Sequence, residues 1–252
     1  MSIFSHIAIM GLGLMGGSIA KAIKKYTTAH ITAITLNQQE AKQALLDGSI
    51  DQCVRLDALN SDVELVFVCT PMKDIKEHIL QLTRHCSQQT IITDIASAKG
   101  FLANENFADN VILGHPIAGS EKKGYFHADA DLFKNRSYVV IPPKVVDTRY
   151  ERLKELIDTI GARVIECDAQ THDQQLALSS HAPYVMAKLA LDVSRSMGLD
   201  SRFIGPGFES FTRVGHSDPA WGKAVTTLNS EAVKSVLDAY SQALNQHLVQ
   251  LN

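Results

Sequence analysis

Cysteine, tryptophan and unbalanced charge are all scarce in this chain of 252 residues, and each shortage excludes something. It has four cysteines, one tryptophan, and 24 basic against 27 acidic residues for a net charge of -3. That near-balance leaves no basic footprint for nucleic acid and no polybasic patch for a membrane surface, so neither is expected as a partner. Cys53, Cys69, Cys86 and Cys167 show no CxxC spacing and no accompanying histidine pattern. A zinc site or redox motif is therefore not indicated and no metal is expected; reduced, buried thiols in a cytoplasmic protein are the better reading. No apolar run approaches the roughly 18 residues of a membrane-spanning helix. Met1 to His6 leads directly into Ile7-Ala8-Ile9-Met10 and a glycine turn, so no secretory leader is expected. Internal repeats and low-complexity tracts are also missing.

What is present is an ordinary globular balance, with 45% hydrophobic and 20% charged residues. The length suits one large domain, or a larger plus a smaller one. From residue 6 to about 167, short apolar runs alternate with helical stretches, the mark of βαβ units and a largely parallel sheet. Strands are expected near 6–10, 31–36, 63–69, 90–94, 111–114, 137–141 and 162–167, and helices near 14–25, 38–47, 73–85, 97–107 and 147–160. The nearly continuous apolar run from Val63 to Cys69 predicts a central strand covered on both faces.

After Cys167 helical spacing dominates to the end. Pro183 lies inside a helix expected over 171–197; it lacks an amide donor and clashes with the preceding turn, so a kink is expected near Ser179 to Pro183. The last helix, about 230–248, carries Val233, Val236, Leu237, Tyr240, Leu244 and Leu248 on one stripe. So small a domain with so much apolar surface predicts completion of its core by a partner subunit, as a homodimer through the C-terminal helices.

The first strand runs into Gly11-Leu12-Gly13-Leu14-Met15-Gly16, a GxGxxG that follows a strand and opens a helix. Such glycines permit a tight turn, let the backbone approach a pyrophosphate and allow close helix packing, while the helix N-terminus supplies positive potential. A plain strand-to-helix turn or an S-adenosylmethionine loop would share part of this pattern; strand, glycines and helix together favour a dinucleotide. The ribose-reading position falls on Asn37, which can hydrogen-bond a hydroxyl but does not repel a 2′-phosphate; NAD is favoured and NADP left open. Thr70-Pro71 and the segment Asp94 to Lys99 follow later strands, at the strand ends where open α/β sheets place ligands. On their own, Ser97 reads as a helix cap and Lys99 as solvated. His115, between Gly114 and Pro116 in a strand-end loop, is a plausible acid or base.

In order along the chain, the glycine loop, Asp94-Ile-Ala-Ser97-Ala-Lys99, Gly114-His115-Pro116-Ile-Ala-Gly119-Ser120-Glu121, Asp131-Leu132-Phe133, His172-Asp173, Ser180-His181-Ala182-Pro183 and Thr212-Arg213 resemble the prephenate and arogenate dehydrogenases of tyrosine biosynthesis. The resemblance spans nearly the whole chain, and its His-Pro-Ile-Ala-Gly-Ser-Glu segment is far more specific than any GxGxxG. It implies an NAD(P)-linked oxidative decarboxylation of a cyclohexadienol. His115 matches the family's catalytic histidine, acting as a neutral base on the 4-hydroxyl, and Ser97 the serine that contacts cofactor and catalytic histidine. Arg213 matches the arginine that binds a substrate carboxylate. Ser180 and His181 match a motif on the kinked helix that lines the substrate pocket; Ser120 falls in the histidine motif, and Glu121 matches an acidic residue at the pocket mouth.

Where the family often reads Ser-His-Leu-Pro-His, this chain has Ser180-His181-Ala182-Pro183-Tyr184, so Tyr184 takes the place of a second pocket histidine. The acidic residue usual three positions before the arginine is Ser210. The expected architecture is α/β: a Rossmann-type doubly wound, mostly parallel sheet over residues 1–167 and a smaller all-helical substrate and dimerisation domain over 168–252. The expected substrate is prephenate. Arogenate is the alternative, and a catalytically silent NAD(P)-binding sensor is the reading from a different class.

Overall fold

The computed structural model describes residues 3–119 and 122–251. These form two compact units: the chain up to Ser97 together with Leu102–Asp168, and Ala98–Phe101 together with the chain from Ala169 onward. The elements of the first half are β1 (His6–Met10), α1 (Leu14–Tyr26), β2 (His30–Ile34), α2 (Gln38–Leu46), β3 (Gln52–Cys53), β4 (Leu65–Val68), α3 (Met72–His85), β5 (Ile91–Asp94) and α4 (Gly100–Ala103). Then follow β6 (Val111–Ile112), β7 (Gly114–Pro116), β8 (Ser137–Val140), α5 (Thr148–Thr159) and β9 (Arg163–Glu166). The helical unit contains α6 (Ala169–Leu176), α7 (Ala182–Ser196), α8 (Pro206–Thr212), α9 (Pro219–Leu228) and α10 (Ser230–Gln250).

The first unit is built on a six-stranded sheet in the order β3-β2-β1-β4-β5-β6, parallel throughout. Its order reverses between β1 and β4, the switch point outside which α/β sheets bind ligands. β1, β4 and β5 are buried along their whole lengths, and β4 runs apolar without alternation as a strand covered on both faces does. Ile75, Ile79 and Leu82 give α3 one buried face at helical spacing.

Two expectations about this unit are corrected, and one strand, β3, is not among those expected. The strands near 137–141 and 162–167 do not join the main sheet. β8 pairs antiparallel with β7 and parallel with β9 in a separate three-stranded sheet. The helix expected over 97–107 is a single turn, α4, because the chain before it is held in a turn by side-chain acceptors on its amides. β3, two residues long, is too short to show a period.

In the helical unit the break ahead of Pro183 takes the form of a π-helical turn, Ala177–His181, in which the Ala182 amide reaches back five residues to the Ala177 carbonyl. Proline cannot donate, so the widened turn costs the helix little there. Of α10, Val233 is buried while Tyr240, Leu244 and Leu248 of the expected stripe are exposed.

Glu64 fastens the edge of the first unit. The Ser5 amide and hydroxyl donate to one carboxylate oxygen at 2.6 Å each, and Arg152 of α5 donates to the other at 2.6 Å. Burial alone would raise this carboxyl, but the hydrogen bonds from Ser5 and Arg152 outweigh it and pull its pKa down to about 2. A folded-state pKa below the unfolded one stabilises above the ordinary carboxylate value, and that contribution is lost as pH falls through about 2. Denaturant midpoints measured from pH 2 to 5 should therefore rise less steeply with pH in Glu64→Gln than in the native chain. Parallel slopes would show that the ion pair contributes nothing to acid stability.

Candidate active site

The carboxyl edge of the parallel sheet gathers the residues expected to hold a dinucleotide. Gly11 has φ +92°, and a Cβ there would lie 2.8 Å from the Cys69 carbonyl, so the end of β1 passes tight against the end of β4. Its amide donates to the Ile34 carbonyl of β2 at 2.8 Å. A Cβ on Gly16 would sit 2.0 Å from the Gly11 carbonyl oxygen, so this glycine closes the turn. Gly13 is different: a Cβ there would meet nothing within 4 Å. Gly13 is also the N-cap of α1, which has no side-chain cap and no acidic residue in its first turn, so the backbone N–H groups and positive end of a 13-residue helix are left for an anion. Leu12 is buried beneath this loop, and Leu14 and Met15 begin the helix half-buried. The donor set and the open ground over Gly13 fit a pyrophosphate.

Asn37 lies three residues beyond β2 rather than at its end. Its side-chain oxygen accepts the Gln39 and Glu40 amides as N-cap of α2, so the cap is made by the oxygen and not by the NH2 group. Leu36 beside it is fully exposed, an apolar surface that composition and spacing did not single out. Pro71 is the N-cap of α3, and the Thr70 hydroxyl is bonded to His78 Nδ1 at 2.8 Å. His78 falls outside every motif of the sequence; its partnership with Thr70 depends on the first turns of α3 bringing residue 78 back over residue 70.

Asp94, wholly buried at the end of β5, joins two further segments. One carboxylate oxygen accepts the Ala96 amide at 2.8 Å and the other the Gly114 amide at 3.2 Å. Ser97 follows Ala96 and His115 follows Gly114, so one carboxylate sets the backbone of both expected catalytic residues. His115 is not in a loop: it sits within β7, opposite Val139, and is 7% exposed. Gly114 is tightly packed: a Cβ would lie 3.0 Å from the Tyr138 ring and 3.1 Å from the Thr93 hydroxyl, so a larger residue requires these neighbours to give. Ser120 and Glu121 lie outside the described residues.

In the helical unit, Asp173 of α6 accepts the Lys99 and Gly100 amides at 2.7 and 2.8 Å, and His172 Nδ1 lies 2.7 Å from the same carboxylate. Burial pushes the Asp173 carboxyl up, but hydrogen bonds from His172 and from those two amides prevail and hold it below the ordinary value. Lys99, expected in solvent, is fully buried. His181 is buried in the π-helical turn and Ser180 beside it is half-buried. Tyr184 packs edge-on against Trp221, with ring centroids 5.5 Å apart, and over Gly222, where a Cβ would lie 2.2 Å from its hydroxyl. Tyr184 thus fills the core between α7 and α9 with only 7% of its surface exposed. Arg213 opens the 3-10 turn Arg213–His216, is exposed, and has no carboxylate partner among the described residues. Gly215 of that turn packs tight against the backbone of Ala187 in α7.

Residues 19–166 match the family described as prephenate dehydrogenase, nucleotide-binding domain, and residues 168–251 the one described as prephenate dehydrogenase, dimerization domain. The chain belongs to the prephenate dehydrogenase family. The prephenate dehydrogenase of Bacillus subtilis (strain 168) is 31% identical over 257 residues, covering 95% of this chain and 68% of that protein. The crystal structure of prephenate dehydrogenase from A. aeolicus, in complex with hydroxyphenyl propionate and NAD+, matches with a TM-score of 0.91 at 27% identity, covering 98% of this chain and 90% of that one. Synechocystis arogenate dehydrogenase matches with a TM-score of 0.81 at 27% identity, covering 98% and 91%. The family's glycine loop at 11–16 lies ahead of the matched stretch, so its assignment here stands on the geometry of Gly11, Gly13 and Gly16.

The contrast between two glycines supplies a test. Gly13→Ala should fold with an unchanged thermal midpoint but raise KM for the dinucleotide by about tenfold or more, because its methyl group enters the ground over the helix end. Gly16→Ala, which must displace backbone, should lower the midpoint as well. Equal cofactor affinity in native and Gly13→Ala chains, by fluorescence titration, would remove this loop from the binding site.

Proposed function

We propose that this chain catalyses the NAD-dependent oxidative decarboxylation of prephenate to 4-hydroxyphenylpyruvate, with residues 1–167 serving the nucleotide and 168–252 the substrate and dimer. The observation that carries this reading is the buried Asp94 carboxylate, which accepts the amides of Ala96 and Gly114, the residues just before Ser97 and His115, at the nucleotide edge of the sheet. Kinship over both halves of the chain supports it.

The bound nicotinamide supplies a hydride acceptor. His115, neutral, accepts the proton of the 4-hydroxyl as the hydride leaves the same ring carbon, so the hydroxyl carbon becomes a carbonyl. The C–C bond to the ring carboxylate then breaks, carbon dioxide departs, and the electron pair flows to that carbonyl to give a phenol once the proton is returned. Aromatisation drives the step. Ser97 hydrogen-bonds and orients the imidazole, and Arg213 holds a substrate carboxylate through its planar fork of donors. Its exposed, carboxylate-free state among the described residues suits that role. His181 and Ser180 complete the substrate side, with Ser120 and Glu121 from the histidine motif, while Tyr184, expected there too, packs into the helical core beside them. Thr70, Pro71 and Asn37 serve the cofactor alongside the glycine loop. Arogenate is the alternative substrate, raised by the Synechocystis structure.

We also infer a homodimer through the helical unit: Tyr240, Leu244 and Leu248 of α10, Leu189 and Val193 of α7 and Met197 at the C-cap of α7 are exposed apolar side chains, and the matched family is described as a dimerization domain. The four free cysteines accord with a cytoplasmic setting.

Nicotinamide absorbance, followed with prephenate and arogenate offered separately against NAD and NADP, tests the reaction directly; no turnover of either substrate would overturn it. His115→Asn should cut kcat by about 10² to 10⁴ and abolish the rise of kcat with pH, with substrate affinity little changed. Arg213→Ala should instead raise KM, by an amount on the order of 1.5 to 3 kcal/mol, and keep the pH limb. A His115→Asn enzyme within a few-fold of native kcat would send the search for the base elsewhere. By sedimentation, the native chain should run at twice its mass and Leu244→Glu should shift it toward the monomer; a native monomer with full activity would rule out the dimer.

A further inference from the structure

An asparagine at a helix N-cap ordinarily turns its side chain back onto the first free amides of the helix. Asn229, the N-cap of α10, does not: it makes no side-chain cap bond and is 6% exposed. Its side-chain nitrogen donates instead to the Asp173 main-chain carbonyl at 2.7 Å and lies 3.1 Å from Nδ1 of His181. A main-chain carbonyl only accepts, so the group of Asn229 facing it must be the NH2 and not the amide oxygen. The second hydrogen of that NH2 is then available to His181 Nδ1, which must present a lone pair. A neutral imidazole carries one ring proton, and with Nδ1 accepting, that proton is on Nε2.

We propose that Asn229 is a positioning residue that locks His181 as the Nε2–H tautomer, so that His181 offers the substrate a hydrogen-bond donor and cannot serve as the base. The inference rests on the reading of His181 as a substrate residue and deepens it by assigning its role: a donor toward an oxygen of the substrate, leaving proton acceptance to His115. The lock is itself anchored. Asp173, whose carbonyl holds Asn229, is fixed by the Lys99 and Gly100 amides and by His172. Trp221 meets the His181 ring edge-on at 6.2 Å and restrains its plane. Composition could not show this: Asn229 lies 48 residues from His181, in no motif of the sequence.

Long-range 1H–15N correlation spectra of the full chain labelled in histidine, with the His181 signals assigned by their loss in His181→Asn, read the tautomer without any substrate. The native chain should show a protonated Nε2 and an unprotonated Nδ1; the opposite pattern overturns the proposal. Asn229→Asp replaces the donor with an acceptor and should move the proton to Nδ1, raising KM about 10- to 100-fold while kcat stays within a few-fold. Asn229→Ser, a smaller neutral variant, covers the case in which the aspartate fails to fold, and should give a mixture of tautomers with a smaller rise in KM. Folded variants of unchanged midpoint that keep the native tautomer and a KM within about twofold would also overturn it. If neither prephenate nor arogenate is turned over, the functional reading fails, and the native spectrum still decides the tautomer.

Discussion

Most of the first unit's chemistry hangs on a carboxylate that solvent does not reach. Asp94 accepts backbone amides on both oxygens, from Ala96 and from Gly114. Hydrogen bonds to a charged acceptor are each worth about 1.5 to 3 kcal/mol, and leaving such an acceptor buried and unmet costs more than the bond contributes. The bonds therefore hold a turn and a strand in place at once. The turn carries Ser97 and keeps the chain from continuing as the long helix its residues would otherwise support. The strand carries His115 and leads into the small second sheet, so that this sheet begins from a fixed point.

A second aspartate does comparable work in the helical unit. Asp173 receives the amides of Lys99 and Gly100, which is why four residues of the middle of the chain belong with helices that begin about seventy residues later. Along the chain, Ser97 stands between the residue that Asp94 holds and the residues that Asp173 holds. A serine expected to touch both cofactor and catalytic histidine gains from being set this way, because proton and hydride transfer require the reacting atoms to be held within a fraction of an ångström. Both carboxylates act on backbone, which is an inexpensive way to rigidify a loop without filling it with side chains.

Glycines set the other half of the nucleotide edge by subtraction. Gly11 and Gly16 are required by the protein itself, since their missing side chains let strand ends and turn pass within contact distance. Gly13 differs: a Cβ there would meet nothing within 4 Å, and on the proposed reading that open ground is kept for the cofactor. By the same reasoning Gly222 is demanded by the protein itself, since a Cβ there would meet the Tyr184 hydroxyl. Tyr184 spends its ring on the helical core, so its replacement of a family histidine changes packing first.

The sequence by itself determined what short-range physics controls. The glycine pattern marks the turn after β1, the nearly continuous apolar run marks β4 as covered on both faces, and the 3.6-residue period marks α3 and α10. Pro183 announces a break because its missing amide is a property of the residue alone. The ordered motifs revealed the family for the same reason: they are runs of neighbours. Tertiary structure alone decided which strands pair, that His115 lies in a strand, that Lys99 is buried, that His78 meets Thr70, and that Asn229 gives up its helix cap for His181. Each of the contacts from Asp94, Asp173 and Asn229 joins residues 20 to 74 apart, or uses backbone groups that every residue possesses. An amide or carbonyl carries no signature in the sequence, so its partner is known only once the chain has folded around it.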